Sequence, residues 1–310
     1  MPNQLSAPLD DNSQSHQNIP PRFLPEDETE VTRLLLRHQV FSKLMGGILP
    51  STLDLSHVSR VLDVACGVGR WVIDLARMYP AMQVTGIDKS EYFIAQARKM
   101  AELEKVSNAT FIVQDLHHLE GPDFAPASFD LIHLSFLAGE ITPQEGPSLF
   151  QASVHLCRSG GVLIYTEAEL PMTNSFACEQ LSILVVRALQ EAGRAFSPAP
   201  GSSLGITAYM GSWMRNAGCR ITENITYALD ISAGTPFHST FSQQMWIFGH
   251  QVRSFLLATG VTTAKEFEGI LRQVQREMQA ETFCGLCFVR TVVGTKLQEG
   301  EPRERSGWGR

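Results

Sequence analysis

The sequence predicts an α/β protein built on a doubly wound, largely parallel sheet with helices on both faces. Three observations lead there. A short apolar run over residues 61–65 breaks at Gly67 and Gly69, then resumes with helical spacing through Trp71, Leu75 and Met78. Further apolar segments of strand length, at 84–87, 110–113, 129–134 and 162–166, alternate with stretches of helical period. Asp63 lies two residues short of the end of the first run, and Asp88 and Asp115 fall just past the ends of the second and third. Short apolar runs without alternation suit strands buried on both faces. Alternation of strand and helix is the order a parallel sheet requires.

Residues 1–26 are rich in Asn, Gln, Ser and Pro and read as a disordered tail. A helix begins near Asp27-Glu-Thr-Glu30, where acids suit the first turn. Val31, Leu34, Leu35, His38, Phe41, Leu44, Met45 and Ile48 recur at helical spacing, and Pro50 ends the helix. This cap, residues 27–57, precedes the sheet. The first strand then enters its turn, where Gly67 and Gly69 let the backbone approach a ligand that a Cβ would obstruct. The helix that follows points its positive end at the same spot.

About twenty residues beyond the turn, the second strand ends in Asp88, an acceptor suited to two ribose hydroxyls. A helix over 90–104, with Ser90 as N-cap, leads to the third strand. Gln114-Asp115-Leu116 follows it, and a carboxylate there suits an adenine amino group. The fourth strand ends at the same sheet edge. A helix over 147–157 then precedes the fifth strand.

Two stretches exceed a minimal sheet-and-helix fold. The first, about 170–206, holds a long apolar helix over 174–193 and a Ser/Pro/Gly loop to Gly205. A helix over 207–217 and a strand over 221–229 restore the regular pattern. The second stretch, about 232–281, holds two helices, the latter opened by Thr263-Ala-Lys-Glu266 with capping-box spacing. A strand over 283–293 and a tail over 297–310 that reads as disordered complete the chain. Insertions on the carboxyl side of such sheets build substrate pockets or subunit interfaces, and both uses are open here.

Taken together, Val61-Leu-Asp-Val-Ala-Cys-Gly-Val-Gly69, Gly86-Ile-Asp88, Gln114-Asp115-Leu116, Phe129-Asp-Leu-Ile-His133 and Leu156-Cys-Arg-Ser-Gly-Gly-Val-Leu163 resemble the class I S-adenosylmethionine-dependent methyltransferases of small-molecule, natural-product type. The chain departs at Ala65, where many members have Gly, and at Ser159, which replaces the usual Pro. The resemblance implies a Rossmann-like seven-stranded sheet whose last strand lies antiparallel beside the fifth. A methyltransferase domain over 58–296 would carry both insertions. It implies S-adenosylmethionine as cofactor, bound by Asp63, Ala65, Cys66, Gly67, Gly69, Asp88, Lys89, Asp115, Leu116 and His133. N-terminal helices in this family often cover the cofactor cleft or exchange between subunits, so a homodimer or higher homo-oligomer is a further implication. A helix merely docked on the sheet for stability is the plainer use.

Methyl transfer from a sulfonium is a one-step in-line displacement, so positioning and exclusion of water supply much of the acceleration. A base is needed only where the acceptor must first lose a proton. Candidates are His133, Glu140, Glu167, Glu169, His238 and His250, with His133, Glu167 and His238 foremost. Cys284-Gly-Leu-Cys287 has metal-ligand spacing, but no second Cys or His pair accompanies it and it lies in a strand, so no metal is expected.

Composition narrows the partners. A net charge of −7 argues against nucleic acid, whose phosphates call for basic patches. No run of apolar residues is long enough for a membrane span. The six cysteines lie in or near apolar segments without a disulfide-like framework, and no apolar leader is present, which points to reduced thiols in the cytoplasm. The expected function is methyl transfer to O, N or C of a small, largely apolar metabolite. The alternatives are an NAD-type dehydrogenase, which lacks its third glycine here because Val72 holds that place, and a non-catalytic cofactor-binding subunit.

Overall fold

A computed structural model describes residues 22–116, 118–298, 300 and 301. Among these, eight strands form one sheet: β1 (Arg60–Val64), β2 (Gln83–Asp88), β3 (Ala109–Val113), β4 (Phe129–Ser135), β5 (Cys157–Ala168), β6 (Met172–Thr173), β7 (Cys219–Asp230) and β8 (Gly285–Lys296). The order is β3-β2-β1-β4-β5-β8, with the first five strands parallel. As expected, the last strand runs antiparallel beside the fifth. The count is eight rather than seven because the two-residue β6 pairs with β8 beyond the end of β5. β7 pairs along the other side of β8.

The first parallel crossovers step outward from β1 to β2 and β3, and the later ones step the other way to β4 and β5. The crevice outside the carboxyl ends of β1 and β4 is therefore the topological switch point, where open α/β sheets bind ligands. Alternate residues of the central strands feed opposite faces, as a period of two dictates. Val61 and Leu131 pack with α2 (Arg70–Met78) and α3 (Glu91–Leu103), whereas Leu62, Val64, Ile132 and Leu134 join the core on the other face. All six are fully buried.

Side-chain caps set the starts of half of the described α-helices. Asp27 caps α1 (Glu28–Met45) by accepting from Glu30 N at 2.8 Å, and Ser90 caps α3 by accepting from Phe93 N at 3.0 Å. α1 stops at Met45, short of Pro50, because Gly46 caps it in the left-handed conformation at φ +74°. Thr263 and Glu266 complete the expected capping box of α8 (Ala264–Met278). β5 starts at Cys157 rather than near Val162, because Cys157 already pairs with Phe129 of β4, and residues 158–161 bulge out before Val162 pairs with Leu131.

The insertions supply α5 (Phe176–Glu191) from the first stretch, and α7 (His238–Ala258) and α8 from the second; these three pack together. α1 lies along α7, and Gln251 Nε2 donates to Asp27 Oδ1 at 2.8 Å across that junction. Residues 22–26, expected within a disordered tail, form a strap instead. Phe23 is buried, edge-on to Phe255 at 5.2 Å and Phe248 at 6.2 Å. At the other end Leu297 N donates to Gly218 O at 3.0 Å, and Arg220 pairs with Glu301 at 3.7 Å, so Leu297 and Glu301 are tied to the fold. The remainder of both expected tails, 1–21 and 302–310, lies outside the described residues.

Candidate active site

A cavity of about 210 Å3 opens over the carboxyl ends of β1, β2 and β4. A smaller one, about 90 Å3, adjoins it behind the Gly-rich turn. They share Leu34, Arg37, Phe41, Ala65, Gly67, Ser135 and Phe136, so they form one cleft narrowed by side chains of α1. Phe241, Met245 and Phe248 of α7 and Val185 of α5 wall the larger part with apolar surface.

The turn after β1 places two expected residues differently. Gly67 lies at φ +54°, and a Cβ built on it meets only Leu34 Cδ1 of α1, at 3.6 Å. The space before Gly67 is thus open to a ligand up to the covering helix. Gly69 lines neither part of the cleft. A Cβ there would come within 2.8 Å of Ala97 Cβ and collide with the Phe111 ring, so Gly69 exists for close packing of α2 against α3 and β3, not for ligand approach. Ala65 lines both parts and adopts φ +59°, the left-handed conformation usual for the glycine it replaces. Cys66 lines the smaller part, and burial pushes its thiol well above the ordinary range, so it stays protonated.

Asp88 ends β2 facing the larger cavity. Its Oδ2 accepts from Gly67 N and its Oδ1 from Ser90 N, both at 2.9 Å, which locks the carboxylate against the turn. Each oxygen keeps acceptor capacity for a ligand hydroxyl. Burial nudges its pKa upward. Asp88→Ala is expected to weaken S-adenosylmethionine binding by about 1–3 kcal/mol, the range for a lost hydrogen bond to a charged group. Isothermal titration measures it, and unchanged affinity would show that Asp88 does not touch the ligand.

Lys89 lines the same cavity with its ammonium paired to Glu140 Oε2 at 2.9 Å. Gln114 and Leu116 line it too, but Asp115, expected as the adenine contact, does not; the turn after β3 presents its neighbours instead.

His133 and Asp63 are register partners on β4 and β1, side by side at the switch point. His133 Nδ1 bonds Asp63 Oδ1 at 2.7 Å, and the imidazole stacks on Trp71 at 4.0 Å and 5°. Both polar residues are buried, and both border only the smaller cavity. That placement removes His133 from the apolar wall where an acceptor would sit. His238, at the start of α7, borders neither cavity; its Nδ1 bonds Ile231 O at 2.9 Å and its ring packs on Phe283. The expectation of a catalytic His238 is therefore corrected to an α7-anchoring contact. His250 is exposed against Trp246.

Glu167 and Glu169 sit at and just beyond the end of β5 with opposite fates. Glu169 is saturated: Oε2 accepts from Leu204 N at 2.8 Å, Gly205 N at 3.2 Å and Ser203 Oγ at 3.1 Å, and Oε1 from Thr207 Oγ1 at 2.6 Å. It pins the 203–207 loop. Glu167 lines the larger cavity at 1% exposure, its Oε1 accepting from Leu137 N and from Tyr165 OH at 3.1 Å. Burial pushes its pKa up to about 7, against the lowering effect of those donors and of Arg37.

Sequence reasoning missed the segment after β4 and the inner face of α1. Phe136 holds φ +54°, a strained conformation for a bulky residue, with its ring stacked on Phe41 at 5.2 Å. Nothing in its residue type announces this. Glu30, Arg33, Leu34, Arg37 and Phe41 line the larger cavity from α1 at helical spacing. The apolar members of that stripe were visible as periodicity, but the polar members were not.

Residues 61–161 match the family described as the methyltransferase domain. The methyltransferase str2 of Strobilurus tenacellus is 27% identical over 198 residues, covering 64% of this chain and 60% of its own length. The N-methyltransferase gliN of Aspergillus fumigatus is 23% identical over 288 residues, covering 88% of this chain and 96% of its own. The chain thus spans about three fifths of str2 and nearly all of gliN. A solved structure from Bacillus halodurans, assigned as a methyltransferase, matches 83% of this chain and 98% of its own at 15% identity with a TM-score of 0.50, a likeness of fold. With the strand order and the Gly-rich turn at the switch point in agreement with this match, residues 61–161 carry a methyltransferase domain, similar to those of the class I S-adenosylmethionine-dependent enzymes.

Proposed function

We propose that the chain transfers the methyl group of S-adenosylmethionine to an oxygen, nitrogen or carbon atom of a small, largely apolar molecule of natural-product type. The observation that carries this is one cleft joining two surfaces. Gly67, Asp88 and Leu116 form the nucleoside side, and Val185, Phe241, Met245, Phe248 and Glu167 form the other. The residues present suit the cofactor: the face of Gly67 that a Cβ would fill is open, and Asp88 offers hydroxyl acceptors. When bound, the cofactor supplies an electrophilic methyl on its sulfonium.

The chain's own part is positioning and exclusion of water, with α1 and the strap at 22–26 covering the cleft. Glu167, buried beside the apolar wall with its pKa near neutrality, is suited to take the proton from an acceptor O–H or N–H. Methyl transfer by str2 and gliN, as their names state it, supports the same reading.

Parallel calorimetric titration with S-adenosylmethionine, S-adenosylhomocysteine and NAD tests it, followed by release of S-adenosylhomocysteine across a panel of apolar acceptors. Binding of the first two but not NAD, with turnover, is the expected result. NAD binding alone overturns it in favour of a dehydrogenase. Cofactor binding without turnover on any acceptor overturns it in favour of a non-catalytic subunit.

A further inference from the structure

The cations that line the cleft are, with one exception, neutralised by neighbouring carboxylates. Arg33 grips Glu30 through Nε to Oε2 at 2.7 Å and Nη2 to Oε1 at 2.6 Å. Lys89 meets Glu140 at 2.9 Å, Arg70 meets Asp74 and Glu104, and Arg22 meets Glu26. Arg37 breaks the pattern. Among the described residues it makes no ion pair and no hydrogen bond, although it lines both cavities. Its guanidinium lies over the Phe136 ring, 4.3 Å from the centroid. Burial, then the nearby Arg33, lowers its pKa to about 9, so it remains a cation at neutral pH.

Arg37 is half-buried, so its unpaired guanidinium has given up part of its hydration without a protein partner in exchange. A guanidinium engaged by its face keeps its in-plane N–H fork free, and that fork matches a planar carboxylate. The surrounding field limits the anion's charge. Glu30, Glu140 and Glu167 all act on Arg37, which disfavours a multiply charged group such as a phosphate. Position gives the rest. Arg37 stands one turn from Leu34, which covers Gly67, and beside Phe136, where the two cavities meet.

We infer that Arg37 anchors a ligand carboxylate at the junction of the two cavities. The inference rests on the methyltransferase reading and specifies it: the carboxylate belongs either to the methionine tail of the cofactor or to the acceptor. Because Arg37 is on α1, the same contact fastens the covering helix to whatever is bound.

The test compares the wild-type chain with Arg37→Met and Arg37→Lys. Each is titrated with S-adenosylhomocysteine, and with methylthioadenosine, the same nucleoside thioether without the amino-acid tail. Each is then titrated, loaded with S-adenosylhomocysteine, with 2-naphthoate as a probe apolar carboxylate. Arg37→Met is expected to weaken one carboxylate probe by about 10- to 100-fold while methylthioadenosine stays within about twofold, with partial recovery in Arg37→Lys. Selective loss of S-adenosylhomocysteine affinity assigns the carboxylate to the cofactor; selective loss of naphthoate assigns it to the acceptor. If neither falls, or if methylthioadenosine falls in step with S-adenosylhomocysteine, the inference is overturned and Arg37 is only part of the wall. Failure of the wild-type chain to bind either nucleoside removes the methyltransferase reading itself, and this inference with it.

Discussion

Gly67→Val is expected to abolish S-adenosylmethionine binding in a chain that still folds. The residue sits at φ +54° with its open face toward the cleft and Leu34 Cδ1 only 3.6 Å from a would-be Cβ. A branched side chain there fills the space between turn and covering helix that the ligand needs. It also sits badly in the left-handed region, costing about 1–3 kcal/mol of stability. The turn's support is external to that side chain, since Gly67 N donates to Asp88 and Cys66 N donates to Ile87 O at 2.8 Å. Titration beside a thermal melt separates the two effects. A folded Gly67→Val variant with normal affinity would show that the ligand does not pass over this turn.

The second large effect is expected from Glu167→Gln, which keeps the shape and an acceptor for Leu137 N but removes the base. Turnover is expected to fall by about 10²- to 10⁴-fold, the usual contribution of a positioned acid–base group, with cofactor affinity unchanged. The wild-type rate should rise with pH through about 7 and level off above it, because the ionised form accepts the proton. In the variant that rise should vanish. An unaltered profile, or a loss under tenfold, would remove Glu167 from the chemistry.

The same group leaves a trace in stability, with a definite sign. Its pKa is raised from the usual 4.5 to about 7 by burial, so the folded chain holds this proton more tightly than the unfolded chain. Its contribution is fully present below about pH 4.5 and is lost as pH rises through about 7, on the order of 3 kcal/mol in all. The melting temperature of Glu167→Gln should therefore depend less on pH across that window than the wild type's.

How far the site could be read in advance depended on the range of the interactions involved. Asp27, Ser90 and Thr263 announce helix starts because a cap bonds a backbone N–H only three residues away. Gly67 and Asp88 were legible for a similar reason, since a tight turn and a strand end are local and their residue types are chemically restricted. Gly69 was legible as a glycine but misread in purpose. What excludes a side chain there is Phe111 on β3 and Ala97 on α3, neither visible from the turn's own sequence. Likewise Glu167 and Glu169 are near neighbours of one type. Both line the cavity, and only the fold shows that loop amides and hydroxyls engage both oxygens of Glu169 while the two donors to Glu167 share its Oε1.

By itself, then, the sequence determined the alternation of strands and helices, the parallel sheet and the place of the Gly-rich turn, because periodicity, capping and turn chemistry act within a few residues. Tertiary structure alone decided that His133 is held by Asp63 and Trp71 away from the apolar wall, and that His238 is a packing contact. It also decided that Arg37 stands unpaired over Phe136. Each of these follows from side chains brought together across the sheet or across α1, where burial withdraws water and a charge or ring nitrogen is defined by the partner it meets.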